Sequence, residues 1–589
     1  MRRAFLSSHP TSRALRLATS GFALVLACQA GPPAKAPAAA RESPFPSPAD
    51  LSELPPAPSP ENLIVPPVDE VDAWTLEGPF PERVELAQHA PATAFERLLA
   101  DQVVKREGLA VVSEAMYCAA REIGRFLLAR QKPPPNTLME YMAARCGAVG
   151  ADFRPAWFHG EVPSGISDEA LLAKWGSQVE SLVQSSLAGG AAAAGLWFGR
   201  ESGRAVVSIF TMQRRVIVTP FSPVVAEGRV DFSGEALVKA DQLVAHVNQG
   251  ALGYAECELD PKQVLPRFGV SCPISPGDPM ALIEVSLREP GRILALTALR
   301  VLARRDDEPG LTWQRRSWGA SQPSATSAEF AQALSAAVGR VRSGAELQPL
   351  GLSLAQSEQA NDLVPHVIAA SVGLGSPALA DLAALGLFAG YQVDGPIKDA
   401  SLATAVISGG LDTGRWLETA LARPSGRAAL LDPNARVLAV GSFTSEEPPF
   451  AAAIAVTYQL FGEENFQAAA DRVFERVAAE RAARGRAPPT RLSAAAPAVE
   501  AVAGSLPSGH LDPRGALEDA LSRAAAATAA PLRGWVIEAS QLGELKLPEE
   551  LGDWESVQVA VAVGYYQPAG DPWGHYVALI VATAPGLDI

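Results

Sequence analysis

The chain has 589 residues, 48% of them apolar and 19% charged, with a formal net charge of −15. That length suits about three or four domains of ordinary size, and the apolar share excludes a disordered chain. The acidic balance excludes nucleic acid as a partner and a polybasic membrane patch.

Arg2, Arg3, Arg13 and Arg16 precede a short apolar stretch from Leu17 to Ala27, and no acidic residue stands before Glu42. This pattern predicts an export signal over residues 1–27, too short to span a bilayer as a mature helix. It ends Leu24-Val25-Leu26-Ala27-Cys28, which resembles the lipobox of bacterial lipoproteins. The resemblance implies that Cys28 is diacylated, becomes the new N-terminus and anchors the chain in a membrane. Gln29 in place of Asp implies the outer membrane, if enterobacterial sorting rules apply. Ordinary signal cleavage with an incidental Cys28 is the alternative. Residues 28–62 are rich in Pro, Ala and Ser and predict an extended tether that packs no core.

Four further cysteines form two local pairs, Cys118 with Cys146 and Cys257 with Cys272. Export would place them where disulfides close, so both pairs are read as bridges; other pairings and buried free thiols are the alternatives. Their spacing is not that of a metal cluster.

Beyond the tether the chain repeats one plan three times: helix, Gly, turn, helix, and at the end a strand hairpin. Over residues 63–221 the opening reads Arg106-Glu107-Gly108-Leu109, then Ser113-Glu114-Ala115-Met116. Its hairpin runs from Gly195-Leu196-Trp197-Phe198-Gly199 to Ala205-Val206-Val207-Ser208-Ile209. Residues 222–316 break the plan. Short apolar segments there alternate with turn signals such as Ser275-Pro276-Gly277-Asp278-Pro279, which predicts a small β-sandwich stapled by Cys257–Cys272.

The second copy, 326–462, opens Arg342-Ser343-Gly344 with Leu347-Gln348-Pro349-Leu350 and closes on Val437–Gly441 and Ala453–Tyr458. The third, 463–589, opens Arg481-Ala482-Ala483-Arg484-Gly485 with Pro488 and Ser493. It closes on Val559–Gly564 and Tyr576–Ile580. In each opening the Gly suits a helix end, and the Ser can cap the next helix.

The second copy resembles the CAP superfamily of cysteine-rich secretory and pathogenesis-related proteins. The likeness rests on Gly344 with Leu347-Gln348-Pro349-Leu350, then Trp416, then Arg423-Pro424-Ser425-Gly426-Arg427-Ala428-Ala429-Leu430-Leu431-Asp432-Pro433 and Ala439-Val440-Gly441. The other two copies read as degenerate or trimmed versions. The fold class implied is α/β (α+β): CAP-like α-β-α sandwich repeats with an inserted small β-sandwich.

Many members of that family gather two His and two Glu in a central cleft that holds a divalent metal. Here the first His position falls on Leu363, and on Ile123 and about Ala503 in the other copies; the second falls on Gly426. Gly462-Glu463-Glu464-Asn465 follows the last strand rather than standing where a Gly-Glu-Asn motif belongs. No metal or other cofactor is therefore expected.

No phosphate-binding loop, zinc-protease helix or serine nucleophile elbow occurs. Gly373-Leu374-Gly375-Ser376-Pro377-Ala378 follows a helix and is read as a helix–helix loop rather than a dinucleotide fingerprint. His366 is either a base in a pocket or a packing residue. Trp416 and Glu418, with Arg415, either line a cleft or divide between core and solvent. Asp571-Pro572-Trp573-Gly574-His575-Tyr576 is either an exposed recognition tip or a turn with its aromatics packed inward.

The expected function is that of a lipid-anchored envelope protein that binds an unknown protein or envelope component without catalysis. A divergent hydrolase using His366 and Glu418, or a lipid carrier, are the alternatives.

Overall fold

A hairpin strand covered by helices on both faces needs apolar side chains at every position, and the runs Val559–Val563 and Ala451–Val456 meet that demand. The computed structural model describes residues 24–26, 45–57, 71–78, 80–105, 111–150, 152–188, 192–277, 280–305, 312–319, 321–371, 375–446, 449–462, 464–528 and 530–585. Cys28 and Gln29, most of the predicted signal and tether, Arg106–Leu109, Gly373, Leu374 and Glu463 lie outside the described residues.

The chain begins with β1 (Leu24–Leu26), α1 (Pro48–Ser52) and β2 (Ala73–Thr75). The first repeat follows as α2 (Ala94–Val104), β3 (Val111–Val112), α3 (Glu114–Arg130), α4 (Asn136–Arg145), β4 (Asp152–Glu161), α5 (Asp168–Ala188), β5 (Ala193–Glu201) and β6 (Arg204–Gln213). Eight sandwich strands come next: β7 (Val216–Val218), β8 (Arg229–Ala236), β9 (Gln242–Gln249), β10 (Gly253–Glu256), β11 (Glu258–Leu259), β12 (Arg267–Pro273), β13 (Met280–Arg288) and β14 (Leu296–Arg304).

After β15 (Thr312–Gln314) the second repeat runs α6 (Ser327–Gly344), β16 (Gly351–Leu352), α7 (Leu354–Ser371), α8 (Pro377–Ala389), β17 (Ile397–Ser408), α9 (Thr413–Ala422), α10 (Pro424–Leu430), β18 (Ala435–Glu446) and β19 (Pro449–Leu460). The third runs α11 (Phe466–Ala483), β20 (Thr490–Arg491), α12 (Ala496–Ala503), α13 (Pro513–Thr528), β21 (Arg533–Ala539), α14 (Glu549–Asp553), β22 (Gln558–Tyr566) and β23 (His575–Thr583).

The three repeats share one sheet order: β3-β5-β6-β4, β16-β18-β19-β17 and β20-β22-β23-β21, with β1 added beyond β21. In each, a two-residue strand lies parallel to the first hairpin strand. The covering is also shared. In the third repeat Val559, Val561 and Val563 pack with α11 and α14, while Ala560 and Ala562 pack with α12 and α13. In the first, α3 and α4 cover the face of Val206 and Phe210, and α2 and α5 cover that of Val207 and Ile209. This is the predicted α-β-α layering in mixed sheets.

Two buried arginines mark corresponding places in the second and third repeats. Arg342, in the last turn of α6, donates Nε–H to Gln348 O (2.6 Å) and Nη1–H to Leu430 O (2.8 Å). Arg481 of α11 donates Nε–H to Ala487 O (2.7 Å) and Nη1–H to Leu551 O (2.5 Å). Each ties a helix end to the turn after it and to the segment leading into the hairpin. The capping signals held only in part. Ser353 caps α7 by accepting from Gln356 N (3.3 Å), but Ser113 makes no side-chain cap and Ala495, not Ser493, precedes α12. Gly485 takes a left-handed φ of 69°, whereas in the second repeat that geometry falls on Glu346 (φ 59°) rather than Gly344.

The chain divides into two compact units: Leu54–Ala384 with Ser401–Thr457, and Met1–Glu53 with Leu385–Ala400 and Tyr458–Ile589. In the first unit the sandwich stacks sheet β10-β9-β13-β14 on sheet β11-β12-β8-β7 around one core. Cys257–Cys272 closes the point where the chain crosses between those sheets, and Cys118–Cys146 ties α3 to the end of α4. An ionic cluster joins both repeats of this unit to the sandwich. Glu140 of α4 accepts from Arg423 Nη2 (2.6 Å) and lies 3.4 Å from Arg300 Nη1, and Arg300 Nε donates to Glu284 (2.8 Å).

In the second unit β1 runs antiparallel to β21, with Leu24 opposite Val536. There the aromatic turn 571–576 packs inward. Trp573 donates Nε1–H to Phe388 O (3.0 Å) and stacks on Phe45 at 5.1 Å, and Ile397 N donates to Pro572 O (2.9 Å).

Candidate functional site

Trp416 and Glu418 stand two residues apart on α9, which separates their directions by about 200° around a helix. The helix is set by Asp412, whose side chain accepts from Arg415 N (2.9 Å). Trp416, Leu417, Ala420 and Leu421 face the core, while Arg415, Glu418 and Thr419 form the opposite stripe. Trp416 is 0% exposed and donates Nε1–H to Ala453 O (3.0 Å). It lines no cleft.

Glu418 does border a recess. Arg315 donates Nε–H to it at 2.7 Å. Arg315 arrives there because β15 pairs with β2, Trp313 opposite Trp74, and its own N–H donates to Asp72 O (2.7 Å). Arg415 stands on the same wall and donates Nη1–H to Ser408 O (3.3 Å). Pro135, Asn136 and Thr137, at the start of α4, form the other side. The space left is about 60 Å³.

His366 is elsewhere. It sits on α7, and α7 covers the face of β18 on which Gly441 lies: a Cβ there would meet Val364 Cγ2 at 2.6 Å and the Ala360 carbonyl oxygen at 2.7 Å. Leu438 and Val440 point the other way, into the core shared with Trp416. His366 and Glu418 are therefore on opposite sides of one sheet, and the fold does not bring His366 together with Trp416 and Glu418. Burial holds the His366 imidazole below its usual range, which suits a packing residue.

The positions where the family carries imidazoles have other occupations here. Leu363, Ile123 and Ala503 are each 1% exposed. At Gly426 a side chain would run into the Ala420 carbonyl oxygen, because α9 turns directly into α10. Asn465 caps α11 by accepting from Ala468 N (2.9 Å), and Glu464 pairs with Lys398 (3.2 Å). Among the described residues no three His, Cys, Asp or Glu side chains converge as metal ligands would.

Two broader hollows are open to solvent. One of about 530 Å³ lies over the outer sheet of the sandwich, floored by Ser233 and Gly269 and walled by Phe221, Glu258, Leu259 and Asp260. The other, about 430 Å³, runs between β4 and α5 along Trp157, Ser177, Ser181 and Ser185. Sequence reasoning missed both, and missed Arg315. The α9 stripe was legible from helical spacing; Arg315 was not, because a pairing across 237 residues (Thr75 with Thr312) places it.

No family model matches the chain, and no curated protein matches it. Among solved structures the chain is similar to a cysteine-rich secretory protein from Staphylococcus aureus subsp. aureus Mu50. The two are 12% identical over 45% of this chain and 85% of that one, with a TM-score of 0.17. A likeness of that size carries no argument about function, so the layered α/β fold itself is the finding.

Proposed function

We propose that this is a lipid-anchored cell-envelope protein, acylated at Cys28, whose repeats bind a protein or an envelope component without catalysing a reaction. The observation that carries the reading is the N-terminal sequence: four arginines, a short apolar run and Leu24-Val25-Leu26-Ala27-Cys28. Two closed disulfides suit an oxidising compartment. Gln29 directs the anchor to the outer membrane on the sorting rule stated above. The hydrolase alternative loses its support, since it needs His366 and Glu418 to converge on one substrate.

The test is metabolic labelling with an alkyne palmitate in cells making the full chain and its Cys28→Ala variant. The label should enter the first and not the second, and outer-membrane fractions should hold the labelled protein. The unacylated variant should still sediment with isolated envelopes if the repeats bind there. Label that persists without Cys28 defeats the anchor, and a variant left wholly in the soluble fraction defeats binding to an envelope component.

A further inference from the structure

We infer that the outer edge of β21 is a strand acceptor: in the exported chain it takes an extended apolar segment of a partner protein, added antiparallel to the third repeat's sheet. The inference rests on the binding reading and on removal of residues 1–27, and it adds the partner's chemistry and the place where it docks.

The chain itself supplies the pattern. β1 lies beyond β21, with Leu24 opposite Val536, Val25 opposite Trp535 and Leu26 opposite Gly534. Those three residues belong to the predicted export signal. With the signal removed, β21 becomes the last strand on its side of the sheet, and a row of its backbone N–H and C=O groups faces outward. An extended segment laid along that edge restores the lost hydrogen bonds without any change of fold.

The other edges of the repeat sheets are blunted. The opposite edge is a strand of two residues in every repeat: β3, β16 or β20. The counterpart of β21 is β4 in the first repeat and β17 in the second. β4 carries Pro155, which has no N–H to donate, and β17 carries Lys398 and Asp399. Proline and charge on an edge discourage the addition of a strand. β21 reads Arg533-Gly534-Trp535-Val536-Ile537-Glu538-Ala539, with neither Pro nor Lys and with its charges near the ends. Among the described residues it alone of these edges receives an added strand.

The flanks set the chemistry of the occupant. Trp535 and Ile537 belong to the core under α11 and α14, and Val536 to the core under α12 and α13. The half-buried Trp554 packs on Trp535, with ring centroids 5.7 Å apart. On the other face Leu517 and Leu521 of α13 close over Gly534. A strand added here turns its alternate side chains toward two apolar layers. An apolar residue at each position therefore suits it better than apolar–polar alternation.

The experiment uses the processed chain, solubilised from envelopes. The probe is a fluorescent synthetic peptide of residues 22–27 with lysines added for solubility, and its control is the same peptide with Val25→Pro. Binding is read by anisotropy, and its place by amide hydrogen exchange over residues 533–539. The first peptide should bind saturably and slow exchange over 533–539 while leaving β22 as it was. The control is as apolar but lacks one N–H, and should bind roughly tenfold more weakly or worse. Both substitutions and probes lie in the peptide, so no variant of the chain has to fold. The inference is overturned if the first peptide leaves exchange over 533–539 unchanged or if the two peptides bind alike. It is also overturned if the processed chain is a dimer whose 533–539 amides are already slow and which the peptide dissociates, since the occupant is then a second copy. The N-terminal mass separates this inference from the reading beneath it. A chain that starts at Cys28 and ignores the peptide loses the edge assignment alone, whereas a chain purified with residues 1–27 intact defeats the export reading as well.

Discussion

Arg342 and Arg481 show how a charged side chain can organise a core. Each is wholly buried, and each donates only to carbonyl oxygens among the bonds described above. Removing the guanidinium strands several buried acceptors at once, at about 1–3 kcal/mol for each. Arg481→Met should therefore destabilise its unit by on the order of 3 kcal/mol in urea unfolding, and Arg342→Met should act alike in the other. A change under about 1 kcal/mol would show that water replaces these bonds. Glu140 makes a second residue-scale case. Burial alone would raise its pKa, but Arg300 and Arg423 beside it prevail and hold it at about 2. A carboxyl depressed in the folded state adds stability above its unfolded pKa of about 4.5, and that stability is lost as pH falls toward 2. At about 1.4 kcal/mol per unit the contribution is on the order of 3 kcal/mol. Glu140→Gln should remove that part of the pH dependence between pH 4.5 and 2 and lower stability at pH 6. An unchanged slope would assign the acid sensitivity to other groups.

At the scale of elements, the repeat plan was legible because it depends on local signals. Apolar runs such as Val559–Val563 mark strands covered on both faces, and helix-then-Gly-then-Pro marks a helix end. Finer local assignments failed where the backbone had another option, as when Glu346 took the left-handed turn expected of Gly344. Both disulfides joined the local pairs read from spacing. Cys118–Cys146 closes a separation of 28 residues between α3 and the end of α4, for which the chain-entropy relation gives about 3–4 kcal/mol. A Cys118→Ala, Cys146→Ala double variant should lose about that much in unfolding under non-reducing conditions. It should also become indifferent to added reductant at this position. A variant as stable as the parent would mean that packing of α3 on α4 fixes the pair unaided.

At the scale of the molecule, repeat boundaries and compact units do not coincide. Residues 385–400 belong to the second repeat by sequence and to the unit of the third by packing. The reasons are specific: Tyr458 donates to Leu387 O (2.5 Å), Trp573 to Phe388 O (3.0 Å) and Gly574 N to Ile397 O (2.8 Å). A fragment of residues 463–589 should therefore melt at a lower temperature than the same repeat within the full chain, and should bind an apolar dye. A fragment as stable as the intact unit would show that 385–400 is a bystander. The sequence by itself determined the repeat plan, the inserted sandwich and the cysteine pairs, since each is a matter of composition or short-range spacing. Only the tertiary structure decided that His366 and Glu418 stand on opposite sides of a sheet, and that Arg315 meets Glu418. Those placements depend on which face a strand turns and on pairings hundreds of residues apart, which no local pattern encodes.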